Sequence, residues 1–332
     1  KNSELKSAIL EETPWVRQSK SETEQKKRIV LLFDLNKMSN ETASVLEELG
    51  RRQMPSGAFP WFTGGRENVY ITQKVVEGIA HLLHLGVISD QDGKYMQIVN
   101  RALVYLDEQT KVRYDKLKAR IGKYGGDINK DHLDQLSIHY LFIRSFFQDK
   151  EVLPASMAAY DYYFGQSEKH WLGKGLYLEA MLGLMLNRNE SQVTNDISKS
   201  LKERSFYSEE LGRYWNLGNG FNWYELPIES HAMMIEFFTE VKSEENFVED
   251  MKIWLLKNKQ TNHWKTTKAT SAAIYSLLIQ GEERGMISWI EESNEPDIRL
   301  GNTKIDLDQQ GTEVRTGYFK KSWSSSEITS DL

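Results

Sequence analysis

Apolar residues recur at helical spacing along most of the chain. Behind Ile71, the residues Val75, Val76, Ile79, Leu82 and Leu83 follow at i+4, i+5, i+8, i+11 and i+12, which places them on one face of a helix. Gly86 comes next and is a natural stop. The same pattern returns in "HLDQLSIHYLFIRSFF" (132–147), "KGLYLEAMLGLML" (174–186), "PIESHAMMIEFFTEV" (227–241) and "TTKATSAAIYSLLIQ" (266–280). Pro227 suits the first turn of its helix, where the missing N–H costs nothing. The periodicity predicts an almost all-helical body from about residue 4 to 290. Apolar helices near 70–85, 132–147, 174–187, 227–241 and 266–280 should be buried on both sides.

Between them run more polar helices, "SQVTNDISKSLKERS" and "SEENFVEDMKIWLLKNK" among them. An apolar set walled in by an amphipathic set implies two concentric layers. The fold class expected is therefore mainly α: an α/α toroid built of helical hairpins, with a superhelix of hairpins as the rival that would look nearly the same in sequence. The texture changes after Pro296. "DIRLGNTKIDLDQQGTEVRTGYFKKSW" alternates apolar and polar residues with glycine punctuation and reads as short strands. We divide the chain into residues 1–295, helical, and a β tail at 296–332 that begins a further domain or forms an appended hairpin.

A loop, a tryptophan and an apolar helix occur together three times: "GAFPWFTGGRENVYITQKVVEGIAHL", "GFNWYELPIESHAMMIEFF" and "NHWKTTKATSAAIYSLL". Trp223 and Trp264 stand 41 residues apart, a spacing typical of two-helix repeats. In a toroid the loops entering the inner helices gather at one mouth. Trp61, Arg66, Trp215, Trp223, Tyr224, Glu225, Glu229, Trp264 and Lys265 would then form a rim able to meet a partner. The plainer reading is that each tryptophan closes its own hairpin where outer helix meets inner.

Composition narrows the chemistry. The 332 residues are 39% hydrophobic and 27% charged with a formal net charge of −6, a soluble globular balance without the basic stripe that nucleic acid needs. No apolar run is long enough to span a membrane. The chain has no cysteine, which removes disulfides, thiol nucleophiles and any thioester on its own side chains. Glu225 and Glu229 stand four apart around Pro227 and could divide acid and base work, yet negative charge at a helix start is favourable without any catalysis. His81 and His84 lack a nearby carboxylate to complete a metal set, and His231 is equally isolated. No metal or cofactor is expected, and no catalytic residue is assigned.

The runs "QMPSGAFPWFTGGRENVYITQ", "SLKERSFYSEELGRYW", "WYELPIESHAMMIEFF" and "WKTTKATSAAIYSLLIQG" together resemble bacterial α2-macroglobulin-like proteins of the Bacteroidetes type, over nearly the whole chain. The resemblance implies the thioester-domain region, an α/α toroid related in fold to terpenoid cyclases and complement thioester domains, with the tail leading into a macroglobulin-type β-sandwich. Members that carry a thioester place a Cys-x-Glu-Gln motif upstream of the segment similar to "LKSAILEETPWV". This chain lacks that motif, and the first hairpin of the ring is expected to be partly missing. The function implied is that of a non-catalytic structural or interaction domain in an endopeptidase inhibitor that traps proteases. Its partners would be target proteases, met through the full-length protein, and neighbouring macroglobulin domains. The family places it in the periplasm or cell envelope, often as a lipoprotein. The alternative is a glycan-active toroid enzyme, a polysaccharide lyase or glycosidase, which would need opposed carboxylates or a Tyr/His pair in a deep groove. A terpenoid cyclase or prenyltransferase would need an acidic motif or a zinc-binding cysteine, both absent.

Overall fold

The computed structural model describes residues 35–89, 93–216, 227–241, 243, 245–261, 264, 266–279, 299–300 and 303–304. Among these the protein is mainly helical. The helices are α1 (Leu35–Arg52), α2 (Val69–His84), α3 (Gly93–Tyr124), α4 (Gln135–Arg144), α5 (Met157–Lys169), α6 (Leu176–Arg188), α7 (Val193–Glu203), α8 (Pro227–Glu240), α9 (Glu245–Thr261) and α10 (Thr267–Leu278). Three small antiparallel strand pairs accompany them: β1 (Phe59–Pro60) with β2 (Glu67–Asn68), β3 (Phe206–Ser208) with β4 (Gly212–Tyr214), and β5 (Arg299–Leu300) with β6 (Thr303–Lys304). By their contacts the residues fall into two units, 45–286 and a second made of 1–44 with 287–332. In the second unit the tail expected to be β pairs Arg299 with Lys304 and Leu300 with Thr303. The rest of that expectation lies outside the described residues.

The helix starts follow local chemistry. Asn68 caps α2 by accepting the amide of Ile71 at 3.0 Å, and Thr266 caps α10 by accepting that of Ala269 at 3.0 Å. Asp134 and Ser137 form a reciprocal capping box on α4, each side chain accepting the other's backbone N–H. Gly57 holds φ at 90°, and a Cβ there would stand 2.2 Å from the carbonyl oxygen of Arg101. The loop before α2 is thereby pressed against α3 at a position only glycine can take.

The two classes of helix differ in burial as their patterns predict. Every residue from Ser137 to Arg144 in α4, from Tyr177 to Leu186 in α6 and from Glu229 to Thr239 in α8 is buried. In α7 only Thr194, Ile197 and Leu201 are buried, a single stripe. The five apolar helices pack in chain order, α2 on α4, α4 on α6, α6 on α8 and α8 on α10. The intervening helices α3, α5, α7 and α9 lie against them. In α2 the apolar face read from sequence is only part of what is covered, because Thr72, Gln73 and Glu77 are buried alongside Val76 and Ile79.

All five apolar helices run the same way. At one end, early residues meet: Gln73 of α2 donates to the Leu136 carbonyl of α4 at 2.8 Å, Lys74 reaches the Tyr177 hydroxyl of α6 at 3.4 Å, and Lys268 of α10 lies 5.7 Å from the Tyr177 ring. At the other end, Arg188 closing α6 pairs with Glu236 and Glu240 of α8. There Tyr275 of α10 stacks on His81 of α2 with ring centroids 3.7 Å apart, and Leu85 and Ile279 pack beside it. The last apolar helix thus touches the first.

Candidate functional site

Side chains inside the apolar layer are unusually polar. On α2 the residues Tyr70, Lys74, Glu77, His81 and His84 fall at i, i+4, i+7, i+11 and i+14, one stripe of the helix. The stripe feeds two clusters, one at each end of the layer.

At the end where the helices begin, Glu77 is the hub. Its Oε2 accepts from Lys74 Nζ at 2.6 Å and lies 2.7 Å from His139 Nε2 on α4. Burial would raise the Glu77 carboxyl, but Lys74 and His139 outweigh it and hold it well below the usual carboxylate range. Burial would likewise lower Lys74, yet Glu77 keeps its ammonium charged. His139 has its imidazole held neutral, first by burial and then by the charge of Lys74. With the ring neutral and Glu77 ionised, the proton sits on Nε2 and is donated to Glu77.

Glu229, in the first turn of α8, belongs to the same neighbourhood, since the charges of Lys268 and Lys74 both act on it. It is 2% exposed, and neither carboxyl oxygen has a hydrogen-bond partner. The other buried glutamates on these helices are satisfied: Glu77 as above, Glu179 by the Gly173 amide and Arg204, and Glu236 by Arg188 and Tyr275. Burial pushes the Glu229 carboxyl up. Helix-start stabilisation, the sequence-based explanation for this residue, does not overcome that burial.

The mouth above the cluster is aromatic. Trp61, in the turn between β1 and β2, is 59% exposed and stacks on Tyr70 with centroids 6.3 Å apart and planes 23° from parallel. Tyr70 in turn lies 6.4 Å from the His139 ring and feels the charges of Lys74, Glu77 and Glu229. Trp61 therefore stands one ring away from the buried polar groups. Phe62 beside it is 68% exposed, and Arg66 is exposed in the same turn.

Of the nine rim residues read from sequence, Trp61 and Arg66 lie at this mouth and Glu229 lies beneath it. Trp215 and Trp264 are corrections. Trp215 is 4% exposed, donates its Nε1 to the Leu201 carbonyl at 2.8 Å and stacks on Phe238. It seals the junction of α7 and α8. Trp264 is fully buried between α9 and α10, and its Nε1 has no partner. Both indoles are large enough to fill a helix junction, which removes them from any exposed rim. Trp223, Tyr224, Glu225 and Lys265 lie outside the described residues. The residues that sequence reasoning missed are Lys74, Glu77, His139, Tyr177 and Lys268. Their only signal was a charged or polar residue inside each otherwise apolar helix.

At the far end, burial holds His81 at a pKa of about 3 and lifts Glu236 to about 8 against the pull of Arg188. A cleft of about 590 Å³ opens there between His84, Gly86, Met96, Phe146 and Lys150. Among the described residues no group of three or more histidines and carboxylates stands close enough to hold a metal, and no helix is long and apolar enough to cross a membrane. No protein-family model matches the chain, and no curated protein matches it.

Proposed function

We propose that the chain is an α/α ring of the thioester-domain type and that it serves a macroglobulin-like protease inhibitor as a non-catalytic structural and interaction domain. The observation that carries this reading is the order of the apolar helices. Five of them run in one direction, pack in sequence, and are joined last to first through Tyr275 and His81. An extended superhelix of hairpins would leave α2 and α10 far apart. In this role the ring meets neighbouring macroglobulin domains of its own chain, a periplasmic or envelope-associated protein, and target proteases act on the whole. The glycan-active alternative needs two carboxylates facing each other across a substrate. Glu77 is engaged by Lys74 and His139, which leaves Glu229 without a second free carboxylate among the described residues.

The test is a trapping assay on the complete protein of which this ring would be a part. A broad-specificity protease should keep activity on a small peptide and lose it on a protein-sized substrate. Equal inhibition of both, or of neither, would exclude the trapping role. The 332-residue chain alone should do neither, and methylamine should form no adduct with it.

A further inference from the structure

We propose that the end of the apolar layer at which its helices begin binds a neutral saccharide, with Trp61 and Tyr70 as the stacking platform and Glu229 as the buried group that reads a sugar hydroxyl. The inference goes beyond the inhibitor reading and rests on none of it.

A ring that only had to stand could fill its axis with aliphatic side chains. Buried ionic groups are weak stabilisers, because desolvation offsets most of their attraction. Here Lys74, Glu77 and His139 are drawn together from two helices, with Tyr177 from a third. Glu229 is the clearer sign, a carboxyl buried to 2% exposure with both oxygens unpartnered. Such a group costs stability unless something supplies its hydrogen bond. Unpaired buried groups beside a mouth are typical of sites built for a ligand.

The chemistry of the mouth narrows the ligand. The buried charges of Lys74 and Lys268 are matched by those of Glu77 and Glu229, so the cluster offers no net charge to a phosphate or a carboxylate. An exposed indole over polar groups suits a molecule with one apolar face and a hydroxyl-bearing edge. A pyranose ring has both. It can lie against Trp61 with its C–H face and turn a hydroxyl towards the cluster, where Glu229 accepts it.

The experiment is a calorimetric and tryptophan-fluorescence titration of the chain with neutral hexasaccharides of glucose, mannose, xylose and N-acetylglucosamine, and with hexagalacturonate as the charged comparison, to about 10 mM. At least one neutral sugar should bind. Trp61→Ala should weaken that binding by about tenfold or more, while Trp61→Phe keeps it within about threefold. Trp61 is exposed, so both variants should fold. Glu229→Leu should bind about tenfold more weakly and yet melt a few degrees higher, because it removes an unpaired buried carboxyl. A purely structural Glu229 would leave binding unchanged. The proposal is overturned if no neutral sugar binds, if only hexagalacturonate binds, or if Trp61→Ala binds as the parent does. None of these outcomes bears on the protease-trapping assay.

Discussion

The imidazole of His81 lies flat against the phenol of Tyr275, 3.7 Å between centroids and 5° from parallel. One residue belongs to α2, the first apolar helix described, and the other to α10, the last. Nearly two hundred residues separate them in sequence, and no shorter-range contact brings their helices together. His81 is held neutral by burial, so the pair stacks without an imidazolium charge between the rings. Its Nε2 has no hydrogen bond, which marks packing rather than polarity as what the contact provides.

Stability should pass through a maximum between about pH 6 and 7. Glu236 has its folded pKa raised from 4.5 to about 8 by burial. Its protonated form is favoured by folding, so that contribution is present below pH 4.5 and is lost as pH rises to 8. His81 and His231 are shifted the other way by burial, from 6.5 to about 3 and about 4. Both remain neutral in the fold, so stability falls as pH drops below 6.5. Two histidine protons outweigh one carboxyl proton on the acid side, at about 1.4 kcal/mol per proton per pH unit. Urea midpoints across pH 4 to 8 should show both limbs. Glu236→Gln should flatten the alkaline limb and His231→Phe the acid one, and unchanged limbs in these variants would refute the assignment.

Two glycines inside apolar helices should respond oppositely to alanine. A Cβ at Gly183 would stand 2.6 Å from the Phe237 ring, so Gly183→Ala must push α6 from α8 and should cost about 1–3 kcal/mol. A Cβ at Gly78 meets nothing within 4 Å, and Gly78→Ala should stabilise by about 0.5–1 kcal/mol through helix propensity. Chemical denaturation of the two variants checks the sign of each. Destabilisation by both would mean that α2 is covered where the fold leaves it open.

The two buried indoles separate packing from hydrogen bonding. Replacement of either by phenylalanine leaves a similar gap, but only Trp215 loses a bond, the one to Leu201. Trp215→Phe should therefore cost about 1 kcal/mol more than Trp264→Phe, whose indole N–H is unpartnered. Equal losses in the two variants would remove the Leu201 bond from the account.

Periodicity carried much of this architecture. The apolar spans expected at 132–147, 174–187 and 266–280 enclose or nearly match α4, α6 and α10, and those at 70–85 and 227–241 agree with α2 and α8 to within a residue. Wide apolar arcs announce burial on all sides, so these helices were legible from local pattern alone. The strand pairs beside Trp61 and Trp215 were not, because pairs of two or three residues leave no alternation to read. The polar cluster was hidden for another reason. Lys74, His139, Tyr177, Glu229 and Lys268 come from five helices, and each looks like a lone interruption in its own segment. Only the packing of the helices makes them neighbours. The rim tryptophans failed as a group because a loop-borne Trp has the same sequence context whether it faces solvent, as Trp61 does, or seals a junction, as Trp264 does.

The closure of the ring can be tested on its own, by a double-mutant cycle on His81→Ala and Tyr275→Ala read by urea unfolding. Each single change removes a buried ring and should cost about 2–4 kcal/mol. If α2 and α10 touch as the ring requires, the losses are not additive, and the pair shows a coupling energy of about 1 kcal/mol or more. If the helices form an open superhelix with α2 and α10 apart, the two losses add to within about 0.3 kcal/mol, and the ring is contradicted.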